Sequence, residues 1–250
     1  ALVVLSAHMW SLSSQFVDFD DPVIFLDRQD LQIPFLELVL KVFDLSRPDT
    51  WRPIRDLSHW IDFTIHSHTP VLSHLHNLGL LGLIVVFFCK LADRLGFEQK
   101  WSYLAIILAF VHPVQVETIA WISGRKDLLA ALFMVLSLVS FERMLQAQNK
   151  TFHFCLTLLT FGLGVLSKGH LVVMPCLYLC IWKIKTSGQL NEHLKQVSYP
   201  LITVLLTSIL GLLLASRIAG GGISLTAELS QSERYGITLL DKVQLPLRYI

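Results

Sequence analysis

Three apolar runs limit what this chain can fold into: LGLLGLIVVFFCKLA (78–92), WSYLAIILAFV (101–111) and LITVLLTSILGLLLAS (201–216), with short polar stretches between them. A hydrocarbon core about 30 Å thick needs roughly 20 helical residues to cross it. The pattern is that of a polytopic membrane protein and predicts an all-α transmembrane helix bundle. Only 16% of the 250 residues are charged, and the mean hydropathy is +0.58, whereas soluble chains sit nearer about 25% charged. A net charge of +1 argues against a nucleic-acid module held by a basic patch. The composition also excludes a disordered chain and a disulfide-stapled secreted domain. Cys89, Cys155, Cys176 and Cys180 all lie inside apolar runs and read as small buried hydrophobes.

Residues 72–92 and 197–217 are long enough to span, and 127–145 nearly so. The stretch 101–122 would have to carry His112, Pro113, Gln115 and Glu117, which hydrocarbon does not tolerate on a lipid-facing helix. A short helix stopping at Pro113 is expected there, followed by a second piece near the interface. Residues 152–182 form two apolar arms broken by Ser-Lys-Gly-His (167–170), which reads as a hairpin of two helices. Residues 1–13 read as the end of a truncated first span, 14–71 as a first outer loop, 72–217 as membrane helices and 218–250 as the start of a later outer loop. The initial Ala in place of Met fits a fragment of a larger membrane module.

Orientation follows from short-loop positive charge. Lys90, Arg94, Lys100, Arg143, Lys150, Lys183, Lys185 and Lys195 all fall on one side, read as cytoplasmic. The opposite side receives the long, acid-rich segment 14–66. Within it, FLELVLKVFD (35–44) has the spacing of an interfacial amphipathic helix, and 54–66 reads as a second helical stretch.

This topology gathers four sequence-distant polar clusters at the outer surface: Asp20-Asp21, HPVQVETIAWISGRKD (112–127), Lys168 with His170, and the stretch from His74 to Asn77. Ionisable groups at membrane depth are functional candidates by default, with a partner expected nearby. Sugar transfer from a lipid-linked phosphate needs this mixture. A cation holds the leaving phosphate while a carboxylate takes the acceptor's proton. A carboxylate pair suits the second task because like charge and partial burial raise one pKa. Adjacent acids also occur in solvated loops and Asx turns, and a divalent cation at this pair stays open, although nothing else in the sequence completes a cage. His112, followed by Pro, could equally cap a helix end, Glu117 could pair with Arg125 or Lys126, and Arg125 could snorkel to headgroups. His8, His59, His66, His68 and His153 read as interfacial or loop residues without chemistry.

HPVQVETIAWISGRKDLLAALF (112–133) resembles the signature His-Pro-x-x-x-Glu-x-x-x-x-x-x-Gly-Arg-x-Asp-Leu-Leu of the transmembrane and tetratricopeptide-repeat proteins, in the GT-C superfamily of polyprenyl-phosphate-sugar glycosyltransferases. Supporting pieces follow in the family's order: Phe19-Asp20-Asp21, Arg52-Pro53 with Ser58, His74-x-x-Asn77, and Leu166-Ser167-Lys168 before Pro175. The resemblance implies a GT-C bundle that moves a hexose, mannose by preference, from a polyprenyl or dolichyl phosphate carrier to Ser or Thr hydroxyls of acceptor proteins. It makes Asp20 or Asp21 the catalytic base, Asp20 by preference. Arg125 and Lys168 become the donor-phosphate ligands. Asp127 fixes Arg125 or caps its helix, while His112, Glu117, His74 and Asn77 orient the substrates. Membrane lipid, the lipid-linked donor and a protein acceptor are the implied partners, with no nucleic acid. The endoplasmic reticulum is the implied location in a eukaryote, and the plasma membrane in a bacterium. The chain departs from the pattern at Gly169, where the family usually has Glu, and at Leu81, where a second His is usual. No tetratricopeptide repeat lies within these residues, so the chain alone is expected to be inactive. The alternative from another class is a multi-pass transporter or non-catalytic scaffold. A transporter often has repeated halves with matching broken helices, and no such internal match is visible.

Overall fold

The computed structural model describes residues 1–17, 21, 28, 32–44, 51–67, 69–186 and 198–220. Every regular element among them is helical: α1 (Leu2–His8) running into a 3-10 turn (Met9–Ser13), α2 (Phe35–Val42), α3 (Pro53–His66), α4 (Pro70–Leu95), α5 (Gln99–Val111) and α6 (Gln115–Ala120). A 3-10 turn (Ile122–Gly124) leads into α7 (Arg125–Gln146), followed by α8 (Lys150–Ser167), a 3-10 turn (Gly169–Val173), α9 (Met174–Thr186) and α10 (Ser198–Gly220). The stretches Pro70–Leu95, Ile122–Gln146 and Lys150–Ser167, of 26, 25 and 18 residues, are long and apolar enough to cross a membrane. Leu2–Ser13, Gln99–Val111 and Tyr199–Leu214 are shorter apolar helices. The fold is the expected all-α membrane bundle.

Both expected breaks have local causes. Pro113 disfavours helical backbone at the residue before it, and His112 adopts φ −58°, ψ 136°, so α5 ends at Val111. Lys168 is extended, with φ −157° and ψ 125°, which separates α8 from the turn leading to α9. Gly96, at φ +82°, closes α4 with a left-handed cap that suits a residue without a Cβ.

α7 is the central helix, packing along α8 and α4 and touching α9, while α10 lies against α8 and α9. In lipid, helices associate through close packing and interhelical hydrogen bonds, and both occur here. A Cβ on Gly164 would overlap the Leu171 side chain and come within 3.3 Å of Phe133 Cβ, so this glycine permits the close approach of α8 to α7. Ser137 Oγ donates to the Thr157 carbonyl at 2.9 Å and accepts from the Tyr178 hydroxyl at 2.6 Å, joining α7, α8 and α9.

At one end of the bundle Glu142 is fully buried, paired with Arg94 and with Lys185 at 3.1 Å. Two cations counted as loop charges thus anchor α4 and α9 to an acid on α7. The cysteine expectation needs correction: Cys155, Cys176 and Cys180 are exposed and Cys89 is half-buried, all as free thiols. Cys155, Cys176 and Cys180 face outward, where a small apolar group suits a lipid-facing surface as well as a core, while Cys89 packs against the core around Leu81 and Ile84.

α3 is inverted relative to a water-soluble helix. Arg55, Asp56, Ser58, His59 and Asp62 are buried along with Pro53, while Ile61 and Ile65 are exposed. Asp56 accepts Arg55 at 2.7 Å and Arg28 at 3.2 Å. His59 and His8, expected in loops or at the interface, are buried. His8 is bound to the Phe110 carbonyl at 2.8 Å. α2 packs through Leu38 and Val42 beside Leu57 and Trp60 of α3, and the Trp60 indole donates to the Ile33 carbonyl at 3.0 Å.

Candidate functional site

At the end of the bundle where α4 and α7 begin, two sequence-distant residues, Asn77 and Asp21, converge on the turn 119–124. Asn77 of α4 donates to the carbonyls of Ile119 and Trp121, each at 3.3 Å. The Asp21 carboxylate accepts the Ser123 backbone N–H at 3.0 Å, the Ser123 hydroxyl, and the Val17 N–H at 2.9 Å. Gly124 fits because its Cβ position lies only 2.8 Å from the Thr118 carbonyl oxygen. The demand is for space, since the Gly124 φ of −68° is ordinary.

Arg125 opens α7 and has no exposed surface. Each guanidinium nitrogen has a partner: Nε donates to Asn77 Oδ1 at 2.8 Å, Nη1 faces Asp62 Oδ2 at 2.6 Å and Ser58 at 3.5 Å, and Nη2 donates to the Ser73 carbonyl at 3.0 Å. A buried charge needs this degree of pairing. Asp62 also binds His76 Nδ1 at 2.7 Å and lies 3.7 Å from His66 Nε2. Burial alone would raise the Asp62 carboxyl, but the His76 hydrogen bond and the Arg125 charge outweigh it and hold the group below the usual carboxylate value. His59 is pushed well below the usual imidazole value, first by burial and then by the charges of Arg125, Arg55 and Arg28.

The site residues expected from sequence divide into groups. Asp21, Arg125, His74 and Asn77 come together, His74 being buried near the Asp21 carboxylate and the Ser14 backbone. Lys168 and Asp127 pair with each other, about a third and a quarter exposed. Asp127 therefore braces Lys168; the cation it was expected to fix, Arg125, is held by Asp62. Burial and the Lys168 charge keep the nearby His170 below the usual imidazole value. His112 is exposed, its Nδ1 accepting the Val114 N–H at 3.2 Å across the turn it caps. Glu117 pairs with neither Arg125 nor Lys126; it lines a cleft of about 520 Å³ with Trp10, Ser14, Gln15, Val17 and Trp121. Asp20 lies outside the described residues, as do His68 and Lys195.

The sequence reading missed Asp62, His76 and Ser123. The signal for Asp62 was present: Arg55, Ser58, His59, Asp62 and His66 recur at helical spacing and form one polar stripe on α3. Among the described residues, no group of three or more His, Cys, Asp or Glu side chains is placed to hold a metal ion.

Chemically, the arrangement offers a buried centre, a partly exposed cation paired with Asp127, and a cleft carrying a carboxylate. Comparison with known proteins gives the family to which this chain is similar. The family model described as dolichyl-phosphate-mannose-protein mannosyltransferase matches residues 75–216. The human Protein O-mannosyl-transferase TMTC3 is 27% identical over 194 residues, covering 72% of this chain and 21% of that protein. The human Protein O-mannosyl-transferase TMTC4 is 32% identical over 162 residues, 56% of this chain and 22% of that protein. The mouse Protein O-mannosyl-transferase TMTC2 is 27% identical over 145 residues, 55% of this chain and 17% of that protein. The chain thus spans about a fifth of the length of these relatives. No solved structure matches. With more than half of its length matched, this chain belongs to the dolichyl-phosphate-mannose-protein mannosyltransferase family.

Proposed function

We propose that this protein is a membrane glycosyltransferase that moves a hexose, mannose by preference, from a polyprenyl or dolichyl phosphate carrier to Ser or Thr hydroxyls of an acceptor protein. The observation that carries the reading is the convergence of Asp21 and Asn77 on the turn 119–124 and of Asn77 and Asp62 on Arg125 just after it, together with the Lys168–Asp127 pair and the cleft. The names of the relatives support mannose as the sugar and a protein as the acceptor.

In this mechanism the acceptor hydroxyl gives its proton to a carboxylate as its oxygen attacks the anomeric carbon. The bond from that carbon to the phosphate oxygen breaks, and its electron pair leaves with the carrier phosphate, inverting the centre. Asp20 is the base. Asp21, with three donors on its carboxylate, is a positioning residue that ties the first outer loop to the 121–124 turn. Lys168 is the phosphate ligand, exchanging Asp127 for the donor phosphate, because it is the partly exposed cation of the pair. Arg125, fully enclosed by protein partners, acts as the organiser of the site. His74 and Asn77 support the same centre from α4, Glu117 contacts substrate in the cleft, and His112 shapes the approach at the end of α5. A eukaryotic protein of this kind would work in the endoplasmic reticulum.

The test is transfer of radiolabelled hexose from a polyprenyl phosphate donor to a Ser/Thr-containing acceptor by the full-length protein in membranes. Lys168→Ala should raise the donor KM about tenfold or more, and an unchanged KM would remove Lys168 from the phosphate site.

A further inference from the structure

The cleft beside Asp21 has a composition that says what it holds. Its walls are Trp10 on the first 3-10 turn, Ser14, Gln15 and Val17 on the strand of chain that follows, and Val116, Glu117, Ala120 and Trp121 from one face of α6 and the turn after it. Its volume of about 520 Å³ lies within the ~300–1,000 Å³ of small-molecule sites, which are mostly apolar with a few placed polar groups. The walls are fixed from behind. Ser11 and Ser13 hydroxyls bond the His8 and Trp10 carbonyls at 2.8 and 2.7 Å, and Asp21 clamps Val17 on one wall and Ser123 beside Trp121 on the other.

Neither the Glu117 carboxylate nor the Gln15 amide has a partner among the described residues, although both line the cleft. Among the described residues the acids are Glu117 in the wall and Asp21 behind it, which disfavours an anion and favours neutral hydroxyl donors. Among the described residues lining the cleft there is no Lys or Arg; Lys126 Nζ lies 5.8 Å from the centroid of the Trp121 ring. Two indoles, a carboxylate and an amide suit a ligand with an apolar C–H face and a ring of hydroxyls. We infer that the Trp10–Glu117–Trp121 cleft is the hexose subsite, taking the sugar while the carrier phosphate stays outside it. Glu117 and Gln15 accept and donate hydrogen bonds to the sugar hydroxyls, and the indoles cover its C–H faces.

This inference rests on the donor reading above, and the experiment separates the two. The full-length protein in lipid nanodiscs is irradiated with a hexosyl polyprenyl phosphate whose hexose carries a diazirine, and the labelled peptides are mapped. Binding of bare polyprenyl phosphate is measured alongside. The expected result is labelling within 10–17 or 116–121, reduced about tenfold in Glu117→Gln, with bare-carrier affinity unchanged. Trp10→Leu should reduce labelling in the same way, which keeps the test valid if Glu117→Gln fails to fold. Saturable donor binding with the hexose label elsewhere would overturn the cleft assignment and leave the donor reading standing. An equal loss of bare-carrier affinity in Glu117→Gln would also overturn it, by making the cleft a phosphate or lipid site. Absence of saturable binding by either carrier would overturn both.

Discussion

Arg125 Nη1 lies 2.6 Å from Asp62 Oδ2, with the arginine side chain unexposed and the acid's 3% exposed. This pair joins the start of α7 to the polar face of α3. Removing one member of a buried pair leaves an uncompensated charge and costs about 3–5 kcal/mol. Asp62→Ala and Arg125→Met should each lose about that much in equilibrium unfolding in detergent. The double variant should lose less than the sum, since it strands neither charge. Strict additivity would mean that the two residues do not hold each other.

Gly124→Ala should destabilise the protein, because the new methyl would meet the Thr118 carbonyl oxygen at 2.8 Å, a backbone atom that cannot rotate away. A loss of about 1–3 kcal/mol is expected for overpacking of this kind. Gly79→Ala is the control, with nothing within 4 Å of its Cβ position. Equal thermal stability for the two variants would contradict the close turn.

His59 gives stability a definite pH dependence. Its folded pKa lies well below the usual value, whereas the unfolded chain takes up a proton near about pH 6.5. The unfolded state therefore binds more protons below that pH, so stability is full above it and falls as pH drops. Asp62, depressed in the folded state, adds a loss of the same sign at lower pH. His59→Gln should flatten the decline in thermal midpoint between pH 7 and 5. A slope equal to that of the unaltered protein would show that His59 titrates normally.

Glu142 predicts an asymmetry at the other end of the bundle. Arg94 and Lys185 are 33% and 19% exposed at their side chains while Glu142 is 0% exposed, so the cations can turn toward water and the acid cannot. Arg94→Ala with Lys185→Ala should cost about 3 kcal/mol or more. Glu142→Gln should cost about 1 kcal/mol. The reverse order in urea unfolding would contradict the burial of the acid.

The spans near 72–92 and 127–145 and the two breaks were legible because they depend on local physics: apolar length, the proline at 113 and the polar step at 167–170. Residues 197–217 were expected to span, but Tyr199–Leu214 is a shorter apolar helix, and Lys150–Ser167 is long enough instead. Asp21, His74, Asn77 and Arg125, all named from the sequence, do come together. The pairing among the site residues was not legible. Sequence order set Asp127 beside Arg125, but α7 turns the two side chains apart, so that Asp127 meets Lys168 and Arg125 meets Asp62. Asp62 was overlooked because a polar stripe on a helix usually faces water. On α3 it faces the bundle, while Ile61 and Ile65 face outward. Placing Cys155, Cys176 and Cys180 in the core failed for the related reason that apolar residues of a membrane helix need not be buried in protein.

The central claim is the proposal that Asp20 is the base of hexose transfer. The most direct measurement is hexose transfer from a polyprenyl phosphate donor by the full-length protein carrying Asp20→Asn, compared with Asp21→Asn and with the unaltered protein at matched expression. Asp20→Asn should abolish transfer, a loss of about 100-fold or more, while folding and donor binding are kept. Asp21→Asn should lower both transfer and thermal stability, because it weakens the hold on Ser123 and Val17. Undiminished transfer by Asp20→Asn would contradict the account.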